Sequence, residues 1–257
     1  MSELEGANLS AIRRLNQRGG RFLTVADLME AGTLDRKLLE FFTRRLGAGD
    51  SLLAAAGPSG TGKTTLMGAL LNLIPPGVEI QTAERGNPIP GKSSGDSTLY
   101  MAHELNDAPY YGYIWGDEAR QFLRAAIDGR IAATLHAESL QAVRRKLTEP
   151  PVSLAEEELN QLDLIVTMKT HHQGRDRIRR VDRVYGALNG EFRTLFRWDP
   201  KEDEYREVDG KIYEEKRGSP DADSGLNGFI KSLLNEKPRK MEKIRQLVLD
   251  HVYKKRK

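Results

Sequence analysis

The chain has 257 residues, 39% of them hydrophobic and 30% charged, and a net charge of +3. This length and apolar share support a sizeable core and exclude a wholly disordered chain, and no apolar run reaches the ~20 residues of a membrane span. There is no cysteine, which excludes disulfides and thiolate metal sites, and the small charge surplus gives no argument for nucleic acid.

The first segment is polar and helical in pattern. Ser10–Leu15 reads as a short strand or helix, and Gly19-Gly20 is a break. Thr24–Met29 and Leu34–Leu46 carry apolar residues at helical spacing. Leu52-Leu53-Ala54-Ala55-Ala56 has no polar alternation, the pattern of a strand buried on both faces of a parallel sheet. A glycine-rich turn follows. Lys63 then opens a helix that Pro75-Pro76 must end. Val78–Ala83 reads as the next strand, and residues 85–109, rich in Gly, Pro, Ser and Asn, as a long polar loop. Strands are expected at Tyr113–Trp115, Ile131–Leu135 and Leu162–Lys169, with helices at Glu118–Asp128 and Ser139–Leu147. Arg177–Tyr185 and Glu191–Trp198 read as a hairpin turning at Asn189-Gly190. The chain is polar from Lys201, linker-like over Gly218–Gly228, and amphipathic over Met241–Tyr253. The boundaries are therefore 1–48, a helical segment; 49–200, an α/β core with a parallel sheet and C-terminal strands; and 201–257, a linker and helix.

Gly57-Pro58-Ser59-Gly60-Thr61-Gly62-Lys63-Thr64 matches G-x-x-x-x-G-K-[ST] throughout. Glycines let successive backbone N–H groups turn inward around an anion, and the following helix adds its dipole. In such a loop Lys63 reaches the β- and γ-phosphates and Thr64 ligates Mg²⁺, with Thr65 just behind. A buried strand before and a helix after meet the context the motif requires. Tyr113–Glu118 reads as a strand ending in acid: Asp117 for metal, Glu118 for polarising water. The plain alternative is that Asp117 is an ordinary residue at a helix start. Thr134 and His136 end another strand at the sheet's carboxyl edge, where ligands bind, and are candidates to contact a γ-phosphate.

These residues resemble a family. The phosphate loop, Glu118-Ala119-Arg120, Thr134–Ser139 and Leu147-Thr148-Glu149-Pro150-Pro151 look like the type II/type IV secretion ATPases, most of all their archaeal branch. These are hexameric motors of pilus assembly, archaellum rotation and secretion. The resemblance covers about residues 10–200. It implies a RecA-like P-loop NTPase core with a C-terminal β-hairpin and helical tail, using ATP and Mg²⁺. It further implies Glu84 as a second carboxylate at the site, Arg120 as a transmitting residue, and self-association or docking on a full-length motor. A cytoplasmic place follows, against the inner face of an integral membrane platform protein, with no nucleic acid involved.

The sequence also departs from that pattern. The acidic box Glu-Asp-x-x-Glu reads Glu84-Arg85-Gly86-Asn87-Pro88, Asp117 stands for the usual Gly, and Arg130 for a His. Residues 1–56 before the loop are fewer than the resemblance implies. The expectation is an intact nucleotide pocket with reduced intersubunit machinery, and the alternative to a motor is a nucleotide-binding regulatory subunit that turns over little. The Arg175, Arg177, Arg179, Arg180 and Arg183 cluster reads either as a charged edge strand or as a partner surface.

Overall fold

The computed structural model describes residues 1–16, 19–57, 59–91, 97–174, 176–208 and 222–253. The residues carrying three of the sequence features, Pro58, Arg175 and the first part of the 218–228 linker, lie outside them.

Among the described residues nine strands form one sheet: β1 (Leu52–Ala56), β2 (Glu79–Thr82), β3 (Thr98–Leu105), β4 (Tyr113–Ile114), β5 (Arg130–His136), β6 (Leu164–Gln173), β7 (Asp176–Leu188), β8 (Glu191–Asp199) and β9 (Glu204–Glu207). Their order is β2-β3-β5-β1-β6-β7-β8-β9, with the short β4 beside β3. The part from β2 to β6 is parallel, and β6 to β9 is antiparallel. This is the mostly parallel α/β fold expected.

The central strand explains the layering. All five side chains of β1 are buried. Leu52, Ala54 and Ala56 face one apolar cluster, and Leu53 and Ala55 the other. A strand apolar on both faces needs a helical layer on each. One layer is α5 (Gly116–Asp128), α6 (Leu140–Thr148) and α7 (Glu156–Leu159). The opposite layer combines α4 (Lys63–Leu71) with α1 (Glu3–Arg13), α2 (Val25–Glu30) and α3 (Arg36–Gly47), and with α8 (Ala222–Asn235) and α9 (Met241–His251). Residues from all three stretches delimited in the sequence share this second cluster, from Leu9 through Leu66 to Val248.

Several expectations change. Residues 85–109 are not all loop: they contain β3, a buried eight-residue strand next to β5. The acid strand expected at Tyr113–Glu118 is only the two-residue β4, and Asp117 and Glu118 lie in the first turn of α5. The polar stretch after Lys201 holds β9, and the linker gives way to helix at Ala222. β7 pairs with β6 from Asp176 to Gly186 and with β8 only from Arg183 to Leu188, so the stretch carrying Arg177, Arg179 and Arg180 has a strand on one side only. The Asn189-Gly190 turn is as read, with φ of 51° and 78°, as a tight hairpin of this twist requires.

The N- and C-terminal helices meet under the end of α4. Arg245 on α9 is buried and pairs with buried Glu5 through Nε and Nη2, at 2.6 and 2.8 Å. Its Nη1 donates to the carbonyls of Asn72 and Ile74, just beyond α4. Tyr253 donates to the Leu73 carbonyl at 2.7 Å, and burial pushes its phenol above its ordinary range. One cation thus satisfies both a buried acid and orphaned helix-end carbonyls. Arg245→Ala strands Glu5 uncompensated, and should lower unfolding free energy by about 3–5 kcal/mol. Adding Glu5→Gln should recover part of the loss; urea denaturation of the two variants checks this.

Candidate functional site

β1 delivers the chain into the loop at Gly57. Gly60 and Gly62 then take φ of 78° and 104°, a left-handed conformation suited to glycine. Gly62 is the residue before α4, so the helix starts at Lys63 with its amino end facing the loop. Thr61 and Lys63 are buried, while Ser59 is exposed. Strand, left-handed glycines and helix together meet the local context that the motif requires.

His136 pairs in register with Ala56, the last residue of β1. Its Nδ1 lies 2.9 Å from the Gly57 carbonyl, and its Nε2 lies 2.9 Å from Glu104 Oε1. A carbonyl only accepts, so Nδ1 is the donor in its contact with Gly57. Lys63 Nζ stands 3.4 Å from both ring nitrogens. Loop lysine, imidazole and carboxylate are therefore contiguous at the carboxyl edge of the sheet.

The sequence reading missed Glu104. It is 6% exposed, near the end of β3, and a bulge aims it. Ala102 faces Ala133 and Leu105 faces Leu135, so His103 and Glu104 together oppose Thr134 alone. Ala102 and Leu105 accordingly point into the same core cluster, although three residues apart. The displaced backbone is satisfied locally. The N–H groups of His103 and Glu104 both reach the Gly112 carbonyl, at 2.7 and 3.4 Å. Thr134 Oγ1 donates to the His103 carbonyl at 2.7 Å. Gly112 has φ of 75°, and a Cβ there would lie 2.5 Å from His103 Cγ, so the position requires glycine. Tyr113 Oη donates to Glu104 Oε2 at 3.2 Å, and Asn106 Nδ2 to Oε1 at 3.4 Å. The readable signal was Leu99-Tyr-Met-Ala-His-Glu104, an apolar run ending in acid, obscured by the Gly/Ser-rich residues before it.

The other predicted acids lie elsewhere on this edge. Glu118 Oε1 accepts from the Gly86 N–H at 2.6 Å, tying α5 to the turn after β2. Glu84 closes that turn through paired backbone bonds with Asn87, its side chain exposed. Asp117 is exposed and pairs with Arg120 at 2.5 Å, and Arg120 also donates to the Val152 carbonyl. Thr134 is wholly buried, its hydroxyl engaged in the bulge.

Beside the loop opens a cleft of about 620 Å³. The N-terminal segment supplies one wall, with Phe22 and Leu28, and β6–β7 the other, with Met168, Arg177 and Arg179. Gly68 allows this approach: a Cβ there would lie 2.7 Å from Phe22 Cζ. The arginines of β7 divide between two tasks. Arg180 is buried and bidentate to Asp203 at 2.8 Å, and donates to the Ala31 carbonyl. Arg179 reaches the phosphate loop instead.

Comparison with known proteins adds the following. No family model matches the chain. Over 216 residues it is 27% identical to an uncharacterized protein of Methanocaldococcus jannaschii, covering 73% of this chain and 79% of that one. Among solved structures it is similar to the VirB11 ATPase of the Brucella suis type IV secretion system, in complex with sulphate. The TM-score is 0.43 and the identity 20%, over 74% of this chain and 64% of the other. The Legionella pneumophila ATPase DotB gives a TM-score of 0.42 at 13% identity, over 91% of this chain and 68% of that one. The chain thus spans less than two thirds of the VirB11 chain.

Burial beside the bulge, and secondly the charge of Arg14, lower the His103 imidazole from its ordinary 6.5 to about 4. Between these values the unfolded chain binds a proton that the folded chain refuses, so stability falls as pH drops from 6.5 toward 4. From pH 7 to pH 5 this one group should cost about 2 kcal/mol. His103→Gln should remove that component from the pH dependence of urea unfolding. Identical slopes for variant and wild type would refute it.

Proposed function

We propose that the chain binds ATP with Mg²⁺ at Gly57–Thr64 and hydrolyses it to ADP and phosphate, as an ATPase of the secretion and pilus-motor kind its motifs resemble. One observation carries this reading: a complete phosphate loop whose lysine abuts an imidazole and a buried carboxylate presented by neighbouring strands.

Each group has a chemical part. The inward N–H groups of the loop and the amino end of α4 hold phosphate oxygens. Lys63 moves from the His136 ring onto the β- and γ-phosphates. Glu104 orients the attacking water and takes its proton, a role its burial beside His136 suits. His136, anchored on the Gly57 carbonyl, links loop and carboxylate so that occupancy of one is felt at the other. Among the described residues no group of three or more His, Asp or Glu side chains could hold a metal. Mg²⁺ in phosphoryl-transfer sites keeps waters and phosphate oxygens and takes few protein ligands. Thr64 offers its hydroxyl oxygen for it here, and the bound ion would neutralise phosphate charge. Glu84, Asp117 and Glu118 then serve at the rim, Glu118 by fixing the turn after β2.

The regulatory alternative has its own support. Both oxygens of Glu104 are engaged, and Lys63 rests on His136, so this arrangement must open before turnover. A chain that turns over slowly alone, and faster in mixed assemblies with a full-length motor at a membrane platform, fits that resting state. Among the described residues no helix is long and apolar enough to cross a membrane.

Wild-type protein should gain about 2.7 kcal/mol from Mg·ATP at a hundredfold excess over Kd, and Lys63→Ala should lose that gain in a thermal-shift titration. An unchanged shift would remove the site assignment. Glu104→Gln should keep binding and lose turnover by about 10²-fold or more. Glu118→Gln should stay near wild type in the same phosphate-release assay. The reverse ranking would return the catalytic role to Glu118.

A further inference from the structure

Arg177 and Arg179 occupy alternate positions on β7 and so share one face, the face lining the cleft with Lys63 and Thr64. Arg179 Nε donates to the Gly60 carbonyl at 2.9 Å, in the middle of the phosphate loop. Its Cδ lies 3.4 Å from where a Gly62 Cβ would be, together with Met168 Cε. A guanidinium has five N–H donors in a planar fork, and only Nε is committed here. Among the described residues Nη1 and Nη2 of Arg179 meet no carboxylate, and neither does Arg177. Their neighbours on β7 differ: Arg180 is bidentate to Asp203, and Asp182 pairs with Lys169.

We propose that Arg179, flanked by Arg177, is an in-cis phosphate ligand of the nucleotide, approaching from the side of the loop opposite His136 and Glu104. The proposal deepens the nucleotide reading and rests on it. With Nε held on Gly60, the fork of Arg179 stands over the loop with its remaining donors available to the polyphosphate of a nucleoside di- or triphosphate. Planar, bidentate donation to phosphate is what distinguishes arginine from lysine. The strand order makes the arrangement intramolecular: β7 is joined to β1 through β6 alone, so loop and arginine belong to one sheet of one chain. The base is left to the apolar side chains of the cleft, Phe22 and Leu28 on one wall and Met168 on the other, while Arg179 grips the phosphates regardless of base.

The test is equilibrium binding of a fluorescent ATP analogue and of the matching ADP analogue to the full chain. A charge-assisted hydrogen bond to phosphate corresponds to roughly tenfold to a hundredfold in affinity. Arg179→Ala should weaken both analogues by that factor, with the melting temperature without nucleotide unchanged. Arg179→Lys should restore only part, because a point charge cannot reproduce the fork. The in-cis assignment is read by mixing Arg179→Ala with Lys63→Ala protein. No recovery of tight binding is expected; recovery would place the arginine across a subunit interface and overturn the assignment. Affinity of Arg179→Ala within twofold of wild type would overturn the ligand role itself. If wild-type protein binds neither analogue, the nucleotide reading falls, a result distinct from a wild type that binds and a variant that binds equally well.

Discussion

The constraint that organises this protein is that β1 has no face to give to water. A strand of Leu and Ala, buried throughout, must lie inside a sheet and be roofed on both sides. The chain meets the second requirement asymmetrically. One roof comes from the helices threaded between strands, as parallel connections demand. The other is completed by helices from both ends of the sequence. That choice has a chemical result. The segment that closes the sheet also brings Phe22 and Leu28 alongside the phosphate loop, so the core and the cleft wall are made by the same residues.

The site itself depends on a defect in the ladder. A regular β3 would alternate strictly, and the acid near its end would keep the register of Ala102. The extra residue at His103–Glu104 breaks that register and presents the carboxylate to His136. Gly112 and Thr134 sustain the irregularity, one by accepting two backbone N–H groups and one by bonding the displaced carbonyl. Thr134, which the sequence suggested as a phosphate contact, is wholly buried and gives its hydroxyl proton to the His103 carbonyl.

Legibility in the sequence followed the range of the interactions. The loop, the helix opened by Lys63, β1 and the Asn189-Gly190 turn depend on local backbone demands, and each was readable from its own residues. His136 was readable because a strand's end is marked by a change of pattern. β3 was not, because its flanks are rich in turn residues and its partners lie far along the chain. The place of Glu118 was hard to read for the converse reason. It follows an apolar triplet, but whether that triplet is a central strand or an edge fragment is decided by pairing with β3. The β7 arginines illustrate the same limit. Five basic residues close together look alike in sequence, yet one is buried on an aspartate and another touches the phosphate loop.

The pairing of Glu5 with Arg245 carries a consequence for synthesis. The partners are separated by 240 residues, and at about 5–20 residues per second a ribosome needs roughly 12–48 s to deliver the second after the first. Throughout that interval the carbonyls beyond the phosphate-loop helix and the carboxylate of Glu5 lack their cation. The apolar underside of the sheet lacks its last two helices as well. The nascent chain therefore holds an open-bottomed sheet until α9 has been made, and chaperone engagement should be concentrated in that window, on the face that α8 and α9 later cover.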